Sequence, residues 1–169
     1  MRQEGLAERA VEALFFDTNS PTSTIVHTPA TAYLPIDDNG EPALGLYNYA
    51  SIVGMLDYLQ GHSRIDTNFA VSKVPRYAHS PKRSHELAQE KIGCYLKGTL
   101  DKGLKLKPIP LEDQQFSISV FVNAAFAYGC WGTEQGTHLE YMKSRTGYII
   151  EVMGYSVVWC SKLQVSIAT

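Results

Sequence analysis

The chain has 169 residues, 44% of them apolar, and a formal net charge of −2. That length allows one domain or two small ones, and that composition excludes an intrinsically disordered chain. The three cysteines (Cys94, Cys130 and Cys160) have neither metal-ligand spacing nor the density of a disulfide framework, the pattern of a reduced, intracellular protein.

The N-terminal residues are amphipathic and mixed in charge, without the apolar core of a signal peptide. No run approaches the roughly 18 apolar residues of a membrane span. An intracellular location, cytoplasmic or nuclear, without membrane attachment is the expectation. Residues 5–16 predict a short helix with Leu6, Ala10, Ala13 and Leu14 on one face. Four of the eight prolines (21, 29, 35 and 42) then fall between Asp17 and Gly45, together with the turn sequence Asp38-Asn39-Gly40. Proline removes backbone donors and fixes φ, so this stretch reads as a connector.

Three helical patterns follow. Ser51–Leu59 gathers Ile52, Met55, Leu56 and Leu59 on one side. Asp66–His79 gathers Ala70, Val74, Tyr77 and Ala78. Ser84–Lys97 gathers Ala88, Ile92, Tyr95 and Leu96, with Ser84 as the expected N-cap after Pro81. Pro75 lies inside the second pattern. It removes a ladder hydrogen bond and clashes with the preceding turn, at about 3 kcal/mol in a helix interior, so it predicts a kinked or split helix.

Beyond the turn-rich residues 97–113 the hydrophobic period changes from 3.6 to 2. Phe116, Ile118, Val120 and Val122 alternate with Ser117, Ser119, Phe121 and Asn123, which predicts a strand with one strongly apolar face. Residues 130–142 read as a polar loop, with Glu134 as surface charge. Tyr148–Met153 and Val157–Ser161 are rich in β-formers, and Met153-Gly154-Tyr155-Ser156 between them predicts a hairpin.

Charge is unevenly distributed. Residues 73–107 carry nine Lys or Arg against three acids, and the rest of the chain carries six against fourteen. Such asymmetry reads either as a solvated helical face or as a basic, partner-binding segment. Histidines 27, 62, 79, 85 and 138 are scattered and form no H-E-x-x-H cluster. Gly98 and Gly103 have the spacing of a phosphate loop without its Lys-Ser/Thr, and no nucleophile-elbow sequence is present.

Several stretches, in order, resemble the copia-type retrotransposon polyprotein. FSISVFVNAAFAYG (116–129), KSRTGYIIEV (143–152) and YSVVWCSKLQ (155–164) are similar to the opening three strands of its ribonuclease H domain. SIVGMLDYLQGHSRIDTNFAV (51–71) resembles the segment in which a short helix is followed by T-R-P-D-I-x-F-A-V. HSPKRSHELAQEKIGCYLKG (79–98) resembles H-N-P-x-x-x-H-x-x-A-x-x-R-I-x-x-Y-L-K-G, and MRQEGLAERAVEAL with His27-Thr28-Pro29 matches the piece just upstream. The resemblance covers essentially the whole chain. Departures include Ile65 in place of a proline, and Glu90 and Cys94 at positions that are commonly basic.

The resemblance implies an α+β fold, with a small helical bundle (thumb- and connection-like) followed by a truncated three-stranded antiparallel ribonuclease H-like sheet. The implied divisions are an N-terminal helix and Pro-rich connector over 1–45, a helical region over 46–107 and the sheet over 116–169. In the family the first strand reads V-D-A-D-F-A, and its first aspartate binds catalytic metal; here Asn123 and Ala125 occupy the two acidic positions. Magnesium requires hard, anionic oxygen ligands, and two-metal hydrolysis requires several carboxylates. The family's Mg²⁺ is therefore expected to have lost its ligands, and no cofactor is expected. The polymerase aspartates lie upstream in the family, and the helix carrying a further nuclease glutamate lies downstream.

These implications favour a degenerate polyprotein fragment without catalytic activity. A second reading is a residual or repurposed binder of RNA–DNA hybrid or other nucleic acid. It would contact phosphates through Lys82, Arg83, His85, Lys91, Lys97 and Lys102, weakly, at roughly 10⁻⁴–10⁻⁶ M at physiological salt. A third is an interaction protein that docks, or self-associates, through an exposed strand edge. A complete ribonuclease H sheet pairs its first strand on both sides, so an unpaired edge and an aggregation-prone C-terminal part are expected here.

Overall fold

Helices come first and strands after them, an α+β arrangement of four α-helices and a three-stranded antiparallel sheet among the described residues. The computed structural model describes residues 2–14, 26–30, 34–106, 116–126 and 142–166. Residues 127–141, which hold most of the expected polar loop with Glu134 and His138, lie outside the described residues, as do Phe15 and Phe16. The chain divides into one unit over Met1–Lys105 and another over Leu106–Thr169.

In the first unit, α1 (Glu4–Leu14) buries Ala7, Ala10 and Leu14. Helix α2 (Tyr49–His62) begins where the Asn48 side chain accepts the Ser51 N–H at 2.9 Å. Its stripe Ile52, Leu56 and Leu59 is almost wholly buried. Burial of each such side chain contributes about 1.5–3 kcal/mol. The Asp66–His79 pattern is not one helix. It is a 3-10 turn (Ile65–Thr67), a four-residue helix α3 (Asn68–Val71) and a second 3-10 turn (Val74–Tyr77) that contains Pro75. The expected face survives the break, because Ala70, Val74 and Tyr77 are buried with Val71.

Helix α4 (Arg83–Lys97) follows, and its N-cap is Lys82 rather than Ser84. The Ser84 hydroxyl instead bonds the Asp37 carboxylate. The Lys82 backbone N–H is satisfied from inside the helix, by Nδ1 of His85 at 2.9 Å, half of a capping box. Ile92 and Leu96 of α4 pack with α2 and α3 side chains into one core.

The described part of the Pro-rich connector has no helix and one isolated bridge, Pro42 to Lys82. It turns at Asp38-Asn39, where the Gly40 N–H reaches the Asp37 carbonyl at 2.9 Å. The Asp37 carboxylate leaves no room for a β-carbon at Gly40.

The second unit is a meander in the order β1 (Ile118–Ala125), β2 (Arg145–Val152), β3 (Tyr155–Leu163). Ile118 lies opposite Val152 and Ala125 opposite Arg145. Directly opposite residues share a face, so Ile118, Val120 and Val122 form one apolar face with Tyr148, Ile150 and Val158. Ser119, Phe121, Asn123 and Ala125 lie on the other. The β2–β3 hairpin closes through Met153 and Gly154, with φ of 52° and 78°. Two consecutive positive φ values give a turn whose twist matches the strands.

Candidate nucleic-acid interface

The basic segment maps onto α4 and its flanks, and the fold treats its cations unequally. Arg83 projects along its own helix. One of its terminal nitrogens lies 2.6 Å from Glu90 Oε1 and 3.1 Å from Glu86 Oε2. Its hydrogen bond to Glu90 raises its pKa above the ordinary value. His85 is 1% exposed. Its ring stacks on Tyr77 with centroids 3.8 Å apart, and Nε2 lies 2.9 Å from the Pro35 carbonyl. Burial lowers its pKa, which favours the neutral ring. Lys73 is buried, with its ammonium 4.0 Å from the centre of the Phe69 ring. Lys82 and Lys91 are half-buried, and Lys97 and Lys102 are exposed.

Glu86 and Glu90 explain much of this. Both are buried. Glu86 receives the Leu44 N–H at 2.8 Å and the Gly45 N–H at 3.0 Å, so one carboxylate pins the end of the connector to α4. A buried carboxylate needs a cation or several donors, and Arg83 supplies the cation. The basic run is thus partly internal wiring.

Sequence reasoning missed a second polar cluster. Arg64 is 2% exposed and forms a two-pronged pair with Asp66, Nε to Oδ1 at 3.0 Å and a terminal nitrogen to Oδ2 at 2.8 Å. Its other donors reach the Thr99 carbonyl at 3.1 Å and hydroxyl at 2.7 Å. The Tyr95 hydroxyl donates to Asp66 at 2.8 Å. This network ties the end of α2 to the end of α4. The signal was present in Ser63-Arg64-Ile65-Asp66: two opposite charges two residues apart, in a stretch that otherwise reads as core.

On the sheet, Asn123 is exposed and lies opposite Gly147. Ala125 lies opposite Arg145, which is 6% exposed and donates to the Ser161 hydroxyl at 3.0 Å. A neutral amide, a methyl group and an arginine directly across the ladder do not fit a pair of divalent cations. Among the described residues no three His, Cys, Asp or Glu side chains gather as a metal site. No described helix is long and apolar enough to cross a membrane.

Comparison with curated proteins finds the same kind of relative repeatedly. The chain is 31% identical over 148 residues to the retrovirus-related Pol polyprotein from transposon RE2 of Arabidopsis thaliana, a match covering 87% of this chain and 9% of that protein. The corresponding polyprotein from transposon RE1 is 29% identical, covering 92% and 10%. A putative transposon Ty5-1 protein of Saccharomyces cerevisiae is 25% identical, covering 83% and 42%. Its relatives are retrovirus-related Pol polyproteins from transposons. The chain spans about a tenth of the length of the two plant Pol polyproteins. No family model and no solved structure matches it. The Pol similarity runs through both units, so the helical unit with its Arg64 network and the sheet with Asn123 belong to one related stretch.

Proposed function

We propose that this chain is a segment of a copia-type retrotransposon polyprotein. It runs from the thumb and connection of a reverse transcriptase into the first strands of a ribonuclease H domain, and it carries no nuclease chemistry. The observation behind this reading is the pairing of Asn123 with Gly147 and of Ala125 with Arg145. Where the resemblance calls for carboxylates, β1 presents an amide and a methyl group, with a cation across the ladder. The test is cleavage of an RNA–DNA hybrid by the full chain with Mg²⁺ or Mn²⁺. No cleavage is expected from the wild type, nor from Asn123→Asp combined with Ala125→Asp. Metal-dependent cleavage that disappears in Asn123→Ala would overturn the reading.

The second reading is weak nucleic-acid binding, through fewer residues than the sequence alone suggests. Arg83 is engaged by Glu86 and Glu90, and His85 is buried against Tyr77 and Pro35, so this reading rests on the exposed Lys97 and Lys102 with the half-buried Lys82 and Lys91 beside them. Phosphate contacts of this kind confer sequence-independent, salt-sensitive affinity, roughly 10⁻⁴–10⁻⁶ M. Anisotropy titrations with a labelled hybrid at two salt concentrations should show weak, salt-dependent binding, reduced by Lys97→Ala with Lys102→Ala. Absent or salt-insensitive binding eliminates it.

A further inference from the structure

Residues 34–45 run as a strap against the start of α4, and successive α4 residues hold it. The Arg83 N–H donates to the Glu41 carbonyl at 3.0 Å. The Ser84 hydroxyl binds the Asp37 carboxylate, and the Glu86 carboxylate accepts the Leu44 and Gly45 N–H groups. His85 lies between these anchors, with Nε2 2.9 Å from the Pro35 carbonyl and Nδ1 2.9 Å from the Lys82 backbone nitrogen. A carbonyl only accepts and a backbone N–H only donates. The ring therefore carries its single proton on Nε2 and keeps Nδ1 bare. A Gln or Glu commonly fills this third helical position, and either one offers the cap an acceptor at any pH near neutrality. Histidine does not. A second proton would place an N–H on Nδ1 against the Lys82 N–H, donor facing donor.

We propose that His85 is a pH-sensitive latch: the neutral ring holds residues 34–37 and the α4 cap in place, and its protonation releases both while the core of α2 and α4 stays folded. The ring is 1% exposed, so water cannot solvate an imidazolium where it stands. Charge must leave the site, and the strap lies over it. Leu34, beside Pro35, is buried with Val74, Tyr77 and Ile92, and the Tyr77 hydroxyl donates to its carbonyl at 3.1 Å. Release uncovers the apolar side chains that Leu34 lies against, Val74 and Ile92 among them. The far end of the strap stays tied, because its bonds to Arg83 and Glu86 do not involve the ring. Three elements face the imidazole. Burial favours its neutral form; the Pro35 carbonyl and the Asp37 carboxylate of the strap oppose this, and Lys82 of α4 supports it. The 3-10 turn contributes Tyr77, whose ring centre lies 5.6 Å from the Arg76 guanidinium.

The experiment is native-state hydrogen exchange of the full chain, read by NMR at about pH 7 and about pH 5.5, a window that leaves ordinary carboxylates ionised. A released imidazole titrates at its ordinary value of 6.5 and the latched one below it. The Lys82 amide should therefore lose about five- to tenfold of its protection factor across the window. Dilute urea should leave that exchange unchanged and speed exchange at Leu56 and Leu59, since local opening exposes little surface. His85→Gln supplies an acceptor and a donor that do not titrate, so its Lys82 amide should be equally protected at both pH values. Should that variant fold poorly, the wild-type ring decides the same point. Its nitrogen shifts should report the Nε2–H tautomer at about pH 7, and the Leu34 methyl shifts should follow its titration. Four results would each overturn the latch: Lys82 exchange that ignores pH, a pH response retained in His85→Gln, a urea dependence shared with Leu56 and Leu59, or a ring protonated on Nδ1 at neutral pH.

Discussion

Replacing Asp66 with asparagine keeps the shape of the side chain and removes the charge that neutralises Arg64. Removing one partner of a fully buried ion pair costs about 3–5 kcal/mol, because the other charge remains desolvated. Here the Arg64 side chain is 3% exposed and that of Asp66 is 30% exposed. Asparagine also keeps one oxygen acceptor, so the expected loss is about 2–3 kcal/mol. At roughly 4–8 °C per kcal/mol for a domain of about 100 residues, Tm of the helical unit should fall by about 8–24 °C. Far-ultraviolet circular dichroism follows it, since the helices lie in that unit.

The pH dependence supplies a second readout. Burial pushes the Asp66 carboxyl up, but hydrogen bonds from Arg64 and Tyr95 outweigh it and hold the group below its usual range. The folded-state pKa is thus below the unfolded one. Its stabilisation is complete above the unfolded value and is lost as pH falls through the folded value. The gap between wild type and Asp66→Asn should therefore close on acidification. In an Arg64→Met background the same substitution should cost little. A Tm within about 2 °C of wild type at neutral pH, or a gap that widens in acid, would refute the reasoning.

His85→Ala removes the stack on Tyr77 and the bonds to Pro35 and Lys82, and should cost about 2–4 kcal/mol in urea titrations. Burial depresses the His85 pKa from 6.5, so wild-type stability should start to fall as pH drops below 6.5, and His85→Phe should remove that component. In the hairpin, Met153 has φ of 52°, a conformation that costs most L-residues about 1–2 kcal/mol. Asparagine tolerates it better, so Met153→Asn should slow hydrogen exchange of the Tyr148 and Ile150 amides. Gly154→Ala should speed it, from backbone strain alone, because nothing lies within 4 Å of the added carbon.

The sequence by itself determined the order of elements and where they change character. Periods of 3.6 and 2 located α2, α4 and the strands, Pro75 split its helix, and Asn123 announced a neutral side chain on β1. These features are legible because each depends on residues close in sequence. Periodicity reports which face of an element is apolar, but not what lies against a polar side chain. Glu86 therefore read as part of a charge run, although it binds the backbone at Leu44 and Gly45 from 42 and 41 residues away. His85 read as a phosphate contact until the fold placed Tyr77 and Pro35 against its ring. Local spacing makes Ser84 a candidate cap, whereas Asp37, 47 residues earlier, holds its hydroxyl. Of the six candidate phosphate contacts, tertiary structure buried His85, paired the half-buried Arg83 with Glu86 and Glu90, and left the four lysines half-buried or exposed. It alone decided which residues of β1 lie opposite which residues of β2, because register is a relation between strands.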